Sequence, residues 1–314
     1  MSYLDFFGLK EDPFKITPDP SFFYESLTHR TAKNLLEYVV ENGEGFCVII
    51  GEPGTGKTTI LRKFLSELPE NYIFALILNP NLTPEEFLKT LLDEFMLPYD
   101  KDISKNEILK ILKIFLLKNI SKGIKTLIII DEAQLMPVET LEELRLLSNL
   151  ETEKEKLIQI ILVGQPELEE KLKLPELKQL NDRIINKMFL ERLSLKEVEK
   201  YINHRLKLAG GEKIKINPKV YELVYNHSKG IPRLINAIMS KALMIAFLNN
   251  SLEIKPIHIN SAVKSLSNEE LESDVSFYHY LLIPIISLGI IIVLVYILFQ
   301  TGGFKILIDL IWQR

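Results

Sequence analysis

The sequence predicts a doubly wound parallel α/β domain followed by an all-α bundle, and three observations carry that prediction. Apolar runs of strand length recur at 45–50, 71–78, 125–130 and 156–164 without the polar alternation of half-exposed strands, as strands covered on both faces do. Helical patterns separate these runs, which is the signature of right-handed crossovers in a parallel sheet. After residue 192 the strand signals cease while capped helical patterns continue to residue 266.

A chain of 314 residues, 47% apolar and 25% charged, has globular composition and length enough for two cores. No repeat or low-complexity tract interrupts it. The formal net charge of −4 gives no electrostatic reason to expect duplex DNA as the main partner, because such binding rests on neutralising phosphates. Cys47, the only cysteine, sits in the apolar run "GFCVII", so neither an intrachain disulfide nor a cysteine metal site is expected. The five histidines lack the close spacing of a helical zinc pair and read as structural or surface residues. The opening "MSYLDFFGLKEDPF" carries acids early and no basic segment ahead of an apolar stretch, so no secretory signal is expected there.

The first element is "GFCVIIGEPGTGKTTILRKFL", residues 45–65: a strand, a glycine-rich turn and a helix with Ile60, Leu61, Phe64 and Leu65 on one face. The turn fits G-x-x-x-x-G-K-[ST] through Gly51, Gly56, Lys57 and Thr58, with Glu52, Pro53, Gly54, Thr55 and Thr59 completing the loop and the start of the helix. Glycines let such a loop curl so that its N–H groups face phosphate oxygens, helped by the positive helix N-terminus. Lys57 is expected to reach the β- and γ-phosphates of a nucleotide and Thr58 to ligate Mg²⁺.

The run 125–130 ends at Asp131, placed to hold that Mg²⁺. Glu132 beside it can orient or deprotonate an attacking water, or the pair of acids can cap a helix starting near Pro137. No N-K-x-D guanine-reading motif is present, so ATP is the expected nucleotide. Thr83, Pro84 and Glu86 form a capping box, residues 106–120 alternate lysine and aliphatic residues at helical spacing, and 183–190 supplies a fifth strand. Beyond 192, helices are expected from the Ser194/Glu197 box to Gly210, from Asn217 and Pro218 to Gly230, over 231–250, and in a short fourth over 255–266.

An α/β core followed by a helical lid containing G-x-P-R resembles an AAA+ P-loop ATPase. More narrowly the chain resembles the ExeA, or general secretion pathway protein A, family. The residues that carry this are "YLDFFGLKEDPFKITPDPSFFYESLTHR", "GFCVIIGEPGTGKTT", "IIIDEAQ", "LVGQPEL", "QLNDRI", "YINHRLKLAGG" and "GIPRLIN", in the family's order across residues 3–266. The resemblance implies that Gln165 is the sensor-1 polar residue, Arg233 the sensor-2 arginine and Arg183 the arginine finger given to a neighbouring subunit of a homo-oligomer. It also implies that "PDPSFFY" lines the adenine pocket. Longer relatives continue past a membrane span into a periplasmic domain resembling peptidoglycan-binding modules, which this chain is expected to lack.

Residues 281–299, "LLIPIISLGIIIVLVYILF", carry no charge, and at about 1.5 Å per helical residue they reach roughly 28 Å, the thickness of a bilayer's hydrocarbon. A single transmembrane helix is expected there. Flanking charge (Lys264 before; Lys305 and Arg314 after) weakly opposes a cytoplasmic N-terminal side, but the need for cytosolic ATP outweighs it. Expected boundaries are therefore 1–192 for the nucleotide-binding core, 193–268 for the lid, 269–280 for a linker, and 300–314 for a short extracytoplasmic tail. The expected function is that of an inner-membrane-anchored ATPase that drives or regulates assembly of a secretion or pilus-type envelope system with an envelope partner protein. Two alternatives stand beside it: a DNA-associated regulator of the transposition or origin-recognition type, and an ATP-binding switch with little turnover.

Overall fold

The structure is a computed structural model that describes residues 2–17, 19–151 and 156–267. The predicted linker, membrane span and tail, 269–314, lie outside the described residues. Among the described residues no helix is long and apolar enough to cross a membrane. The chain divides into two compact units, Met1–Ile259 and Asn260–Arg314, and the site lies within the first.

In chain order the elements are α1 (Tyr3–Phe7), α2 (Leu27–Glu41), β1 (Phe46–Gly51), α3 (Lys57–Ser66), β2 (Tyr72–Ile77), α4 (Pro84–Glu94), α5 (Lys105–Ser121), β3 (Lys125–Ile130), α6 (Val138–Leu147), β4 (Gln159–Gly164), α7 (Pro166–Leu172), α8 (Lys178–Arg183) and β5 (Asn186–Leu190). There follow α9 (Leu195–Leu208), β6 (Lys215–Ile216), α10 (Lys219–Ser228), α11 (Pro232–Leu248) and β7 (Glu253–Ile254). The described residues close with helical backbone over 256–267.

Strands β1 to β5 form one parallel sheet in the order β2-β3-β4-β1-β5. Alternate residues of the central strands enter different cores, which is why their sequences show no polar alternation. Val48, Ile50, Ile128, Ile130, Ile160 and Leu162 pack with α4 to α8, while Cys47, Ile49, Leu127, Ile129, Ile161 and Val163 pack with α2 and α3. Leu112 of α5 shows the energetic weight of this packing. It is buried in the first core, and its truncation to alanine costs about 2–5 kcal/mol through lost burial and the cavity left behind.

The capping signals form as expected. Thr83 Oγ1 accepts from Glu86 N while Glu86 Oε2 accepts from Thr83 N at the start of α4, and Ser194 and Glu197 do the same for α9. One expectation is corrected: strands do not end at residue 192, because β6 and β7 pair in parallel within the helical region. Two residues per strand are too few for a periodic signal. The N-terminal segment ties this region to the sheet domain: Lys10 N donates to Ala209 O at 2.8 Å, and Arg205 of α9 donates to Pro13 O.

Candidate functional site

The loop between β1 and α3 curls because two of its glycines take backbone conformations closed to most side chains. Gly54 has φ +80° and Gly56 φ +104°. Space is closed as well: a Cβ on Gly54 would stand 2.7 Å from Arg233 Cβ, and one on Gly56 2.8 Å from His29 Nε2. Lys57 opens α3, and its ammonium donates back to Gly51 O at 2.7 Å and Glu52 O at 3.1 Å. Burial lowers the Lys57 pKa, against the pull of Glu132, Asp131, Glu167 and Glu52.

At the end of β3 and the start of α3 two oxygens meet. Thr58 Oγ1 donates to Asp131 Oδ2 at 2.8 Å, and Asp131 is almost fully buried. The other oxygen, Asp131 Oδ1, accepts from Glu132 N at 2.9 Å. That bond helps hold Glu132 in the left-handed region, φ 52°, a conformation that costs a non-glycine residue about 1–3 kcal/mol. Glu132 makes no side-chain helix cap; α6 starts six residues on, behind Pro137.

The carboxylate of Glu132 is fixed by two amides: Gln134 Nε2 at 2.6 Å and Gln165 Nε2 at 2.9 Å both donate to Oε2. Burial pushes the Glu132 pKa up, but these two bonds and the Lys57 charge outweigh it, and the net direction is down. Gln134 also accepts from Gln165 N at 3.0 Å, so β3 and β4 are bridged across the site. Sequence reasoning gave Gln134 no role, although it stands two residues beyond Glu132 in "DEAQ".

His29 is the second residue whose part was not read from the sequence. It is buried on α2, its Nε2 lies 2.9 Å from Thr55 O, and Nδ1 lies 2.5 Å from Ser26 Oγ. A carbonyl can only accept, so Nε2 carries the proton and donates to the loop. Burial lowers the pKa of His29, against the pull of the Thr55 bond and of Glu197 and Glu25.

Around these groups is a cleft of about 570 Å³, lined by the loop, Glu132, Gln165, Phe22, Phe23, Tyr24, Tyr201, Arg233 and Asn236 among others. The lid contributes Arg233, whose N–H donates to Gly54 O at 3.3 Å. At the end away from Glu132, a buried chain runs from Arg205 Nη1 to Tyr201 Oη at 3.1 Å and from there to Asn236 Oδ1 at 2.8 Å. The Arg205 guanidinium also lies 5.0 Å from the Phe22 ring centre. Arg183 is elsewhere, exposed at the end of α8, donating to Ser148 Oγ at 2.8 Å. Glu52 is held by Arg192, whose Nε donates to Oε1 at 2.8 Å.

The residues present fit a nucleoside triphosphate with Mg²⁺. A glycine cradle that a Cβ would fill faces one lysine, and half-buried Thr58 with buried Asp131 offers two hard oxygen donors. Among the described residues no cluster of three or more His, Cys, Asp or Glu could hold a metal ion.

Sheet order, loop and lid together define the class: the chain has the fold of an AAA+ P-loop NTPase, a nucleotide-binding fold. Residues 40–172 match the AAA domain family model. The chain is related to general secretion pathway protein A of Aeromonas hydrophila, 42% identical over 265 residues, 84% of this chain and 48% of that protein. It thus spans about half the length of that relative. Among solved structures, Cdc6p from Pyrobaculum aerophilum superposes with TM-score 0.62 at 17% identity, over 79% of this chain and 71% of that one. Drosophila ORC bound to DNA superposes with TM-score 0.60 at 17% identity, over 83% and 65%. At such identities the likeness concerns the fold.

Proposed function

We propose that this chain is a membrane-anchored ATPase that binds and hydrolyses Mg-ATP between the core, residues 1–192, and the lid, residues 193–268, to drive or regulate assembly of a cell-envelope secretion or pilus-type system. The observation that carries the catalytic reading is the line of Thr58, Asp131, Glu132 and Gln165, joined by hydrogen bonds of 2.8 and 2.9 Å at the mouth of the glycine loop. Its relation to a protein named for the general secretion pathway supports the envelope reading.

In this reading the loop N–H groups and Lys57 bind the phosphates. Thr58, and Asp131 through water, would hold Mg²⁺, which would supply positive charge against the phosphates. Glu132 accepts the proton of an attacking water at its carboxylate, which Gln134 and Gln165 hold ionised and oriented. Arg233 couples the lid to the loop through the backbone contact at Gly54. Arg183, exposed and distant from its own cleft, acts on the cleft of a neighbouring copy, so turnover depends on self-association. The apolar run 281–299 anchors the chain in the inner membrane with the ATPase domain on the ATP-containing, cytoplasmic side and residues 300–314 beyond it.

Two measurements test this. ATP turnover per chain should rise with protein concentration, and rates independent of concentration would remove Arg183 from the mechanism. The full chain should stay with membranes after alkaline carbonate extraction; its release would remove the anchor while leaving the ATPase reading intact.

A further inference from the structure

We propose that the outer face of α5 lies against anionic lipid headgroups. Residues 110, 113, 114, 117, 118 and 121 follow helical spacing, so they share the face opposite Ile108, Leu112, Leu116 and Asn119, which are buried. That outer face carries Lys110, Lys113 and Lys118, interleaved with Ile114 at 58% and Leu117 at 41% exposure, and Lys122 follows as the cap residue at the end of the helix; all four lysines are exposed. No acidic residue occurs between Ile108 and Ile130. The nearest on the same side, Glu107, turns its carboxylate back onto Ser104 N and Oγ to close the capping box.

None of the four lysines forms an ion pair among the described residues, although lysines elsewhere pair freely with nearby acids, as Lys63 does with Glu67 and Lys89 with Glu85. A merely solvated helix face mixes both charges; from residue 110 onward this one carries only positive charge in a chain of net charge −4, with Glu107 at its N-terminal edge the acid that Lys110 feels.

The chemistry chooses the occupant. Lysine stems flanking isoleucine and leucine suit a headgroup boundary, where the ammonium groups meet phosphate and the aliphatic side chains enter the acyl region. A nucleic acid would be better matched by arginine and stacking aromatics, which this face lacks. Each lysine brought to an anionic surface strengthens association by roughly fivefold. The inference stands on α5 and does not require the 281–299 span. If both hold, the ATPase domain has a second contact with the leaflet beside its anchor.

The test uses the full-length chain with Ile114→Cys carrying an environment-sensitive fluorophore. The native Cys47 is buried, with its thiol pushed up to about 12, and escapes labelling. The protein is placed in vesicles of phosphatidylcholine alone or of phosphatidylcholine with phosphatidylglycerol. The expected result is a blue shift only with phosphatidylglycerol, reversed by high salt and absent when Lys110, Lys113, Lys118 and Lys122 are all changed to Gln, with ATP turnover retained. Identical emission in both lipids overturns the proposal. So does a shift in detergent that tracks protein concentration, pointing to a second copy, or one produced by duplex DNA without lipid. A lipid-free shift abolished by neutralising Glu269, Glu270, Glu272 and Asp274 would assign the face to the chain's own acidic segment instead. Carbonate extraction reads the anchor separately, so failure of one reading leaves the other standing.

Discussion

Gln134 Nε2 donates to Glu132 Oε2 at 2.6 Å, the shorter of the two bonds that hold this carboxylate. Removing it with Gln134→Leu takes away a contribution that lowers the Glu132 pKa, so the carboxyl titrates at higher pH. A general base must be ionised, and the acidic limb of kcat/KM for ATP therefore moves to higher pH in the variant while activity on the alkaline side changes less. Superimposable pH profiles for the two proteins would show that Gln134 does not tune Glu132.

Glu132→Gln keeps the shape and the two amide neighbours but cannot take a proton. Turnover should fall by about 10²–10⁴-fold, the usual contribution of a positioned base, while ATP affinity stays within a few-fold. Phosphate release and calorimetric titration read the two quantities independently. Parental turnover would remove Glu132 from the role of base.

The central strands could be read from the sequence because they are buried on both faces, which leaves runs such as "LIII" with no polar residue to confuse the pattern. Lys57, Thr58 and Asp131 were legible for a related reason: backbone geometry ties a phosphate loop to fixed spacing, and Asp131 ends an obvious strand. Gln134 and His29 were not legible, since Gln165, just after β4, and Thr55, in the loop after β1, meet them only in the folded chain. Arg205 is a sharper case. Nothing in its own helix distinguishes it from a surface arginine, yet it is buried under Phe22 and bonded to Pro13 O. Contacts of that kind exist only once the N-terminal segment has folded over the lid.

His29 makes stability depend on pH. Its folded pKa is lowered, so below about 6.5, the usual imidazole value, the unfolded chain takes up a proton that the native imidazole resists. Stability present above that pH is lost as pH falls toward the folded pKa. The thermal midpoint should drop between pH 7 and pH 5.5, and His29→Gln should lose part of that dependence. The remainder includes His258, whose pKa is also lowered, by burial first and then by Lys255. His29→Ala also leaves Thr55 O without a donor, at a cost of about 1–3 kcal/mol. Parallel melting curves for the parent and His29→Gln across this range would assign the pH dependence elsewhere.

Gly56→Ala joins the loop to α2. The residue sits at φ +104°, outside the range that alanine accepts, and the added Cβ would stand 2.8 Å from His29 Nε2. Backbone and imidazole cannot both keep their places, so either the loop flattens or His29 leaves Thr55 O. Both outcomes open the cradle, and ATP affinity should fall by at least tenfold, with about 1–3 kcal/mol of stability lost to the strained conformation. Combining Gly56→Ala with His29→Ala separates the two causes. Removing the ring relieves the clash but not the backbone strain, so stability should return only in part and nucleotide affinity should stay low. Full recovery of ATP binding in the double variant would mean that the imidazole contact, and not the left-handed backbone at Gly56, sets the shape of the loop.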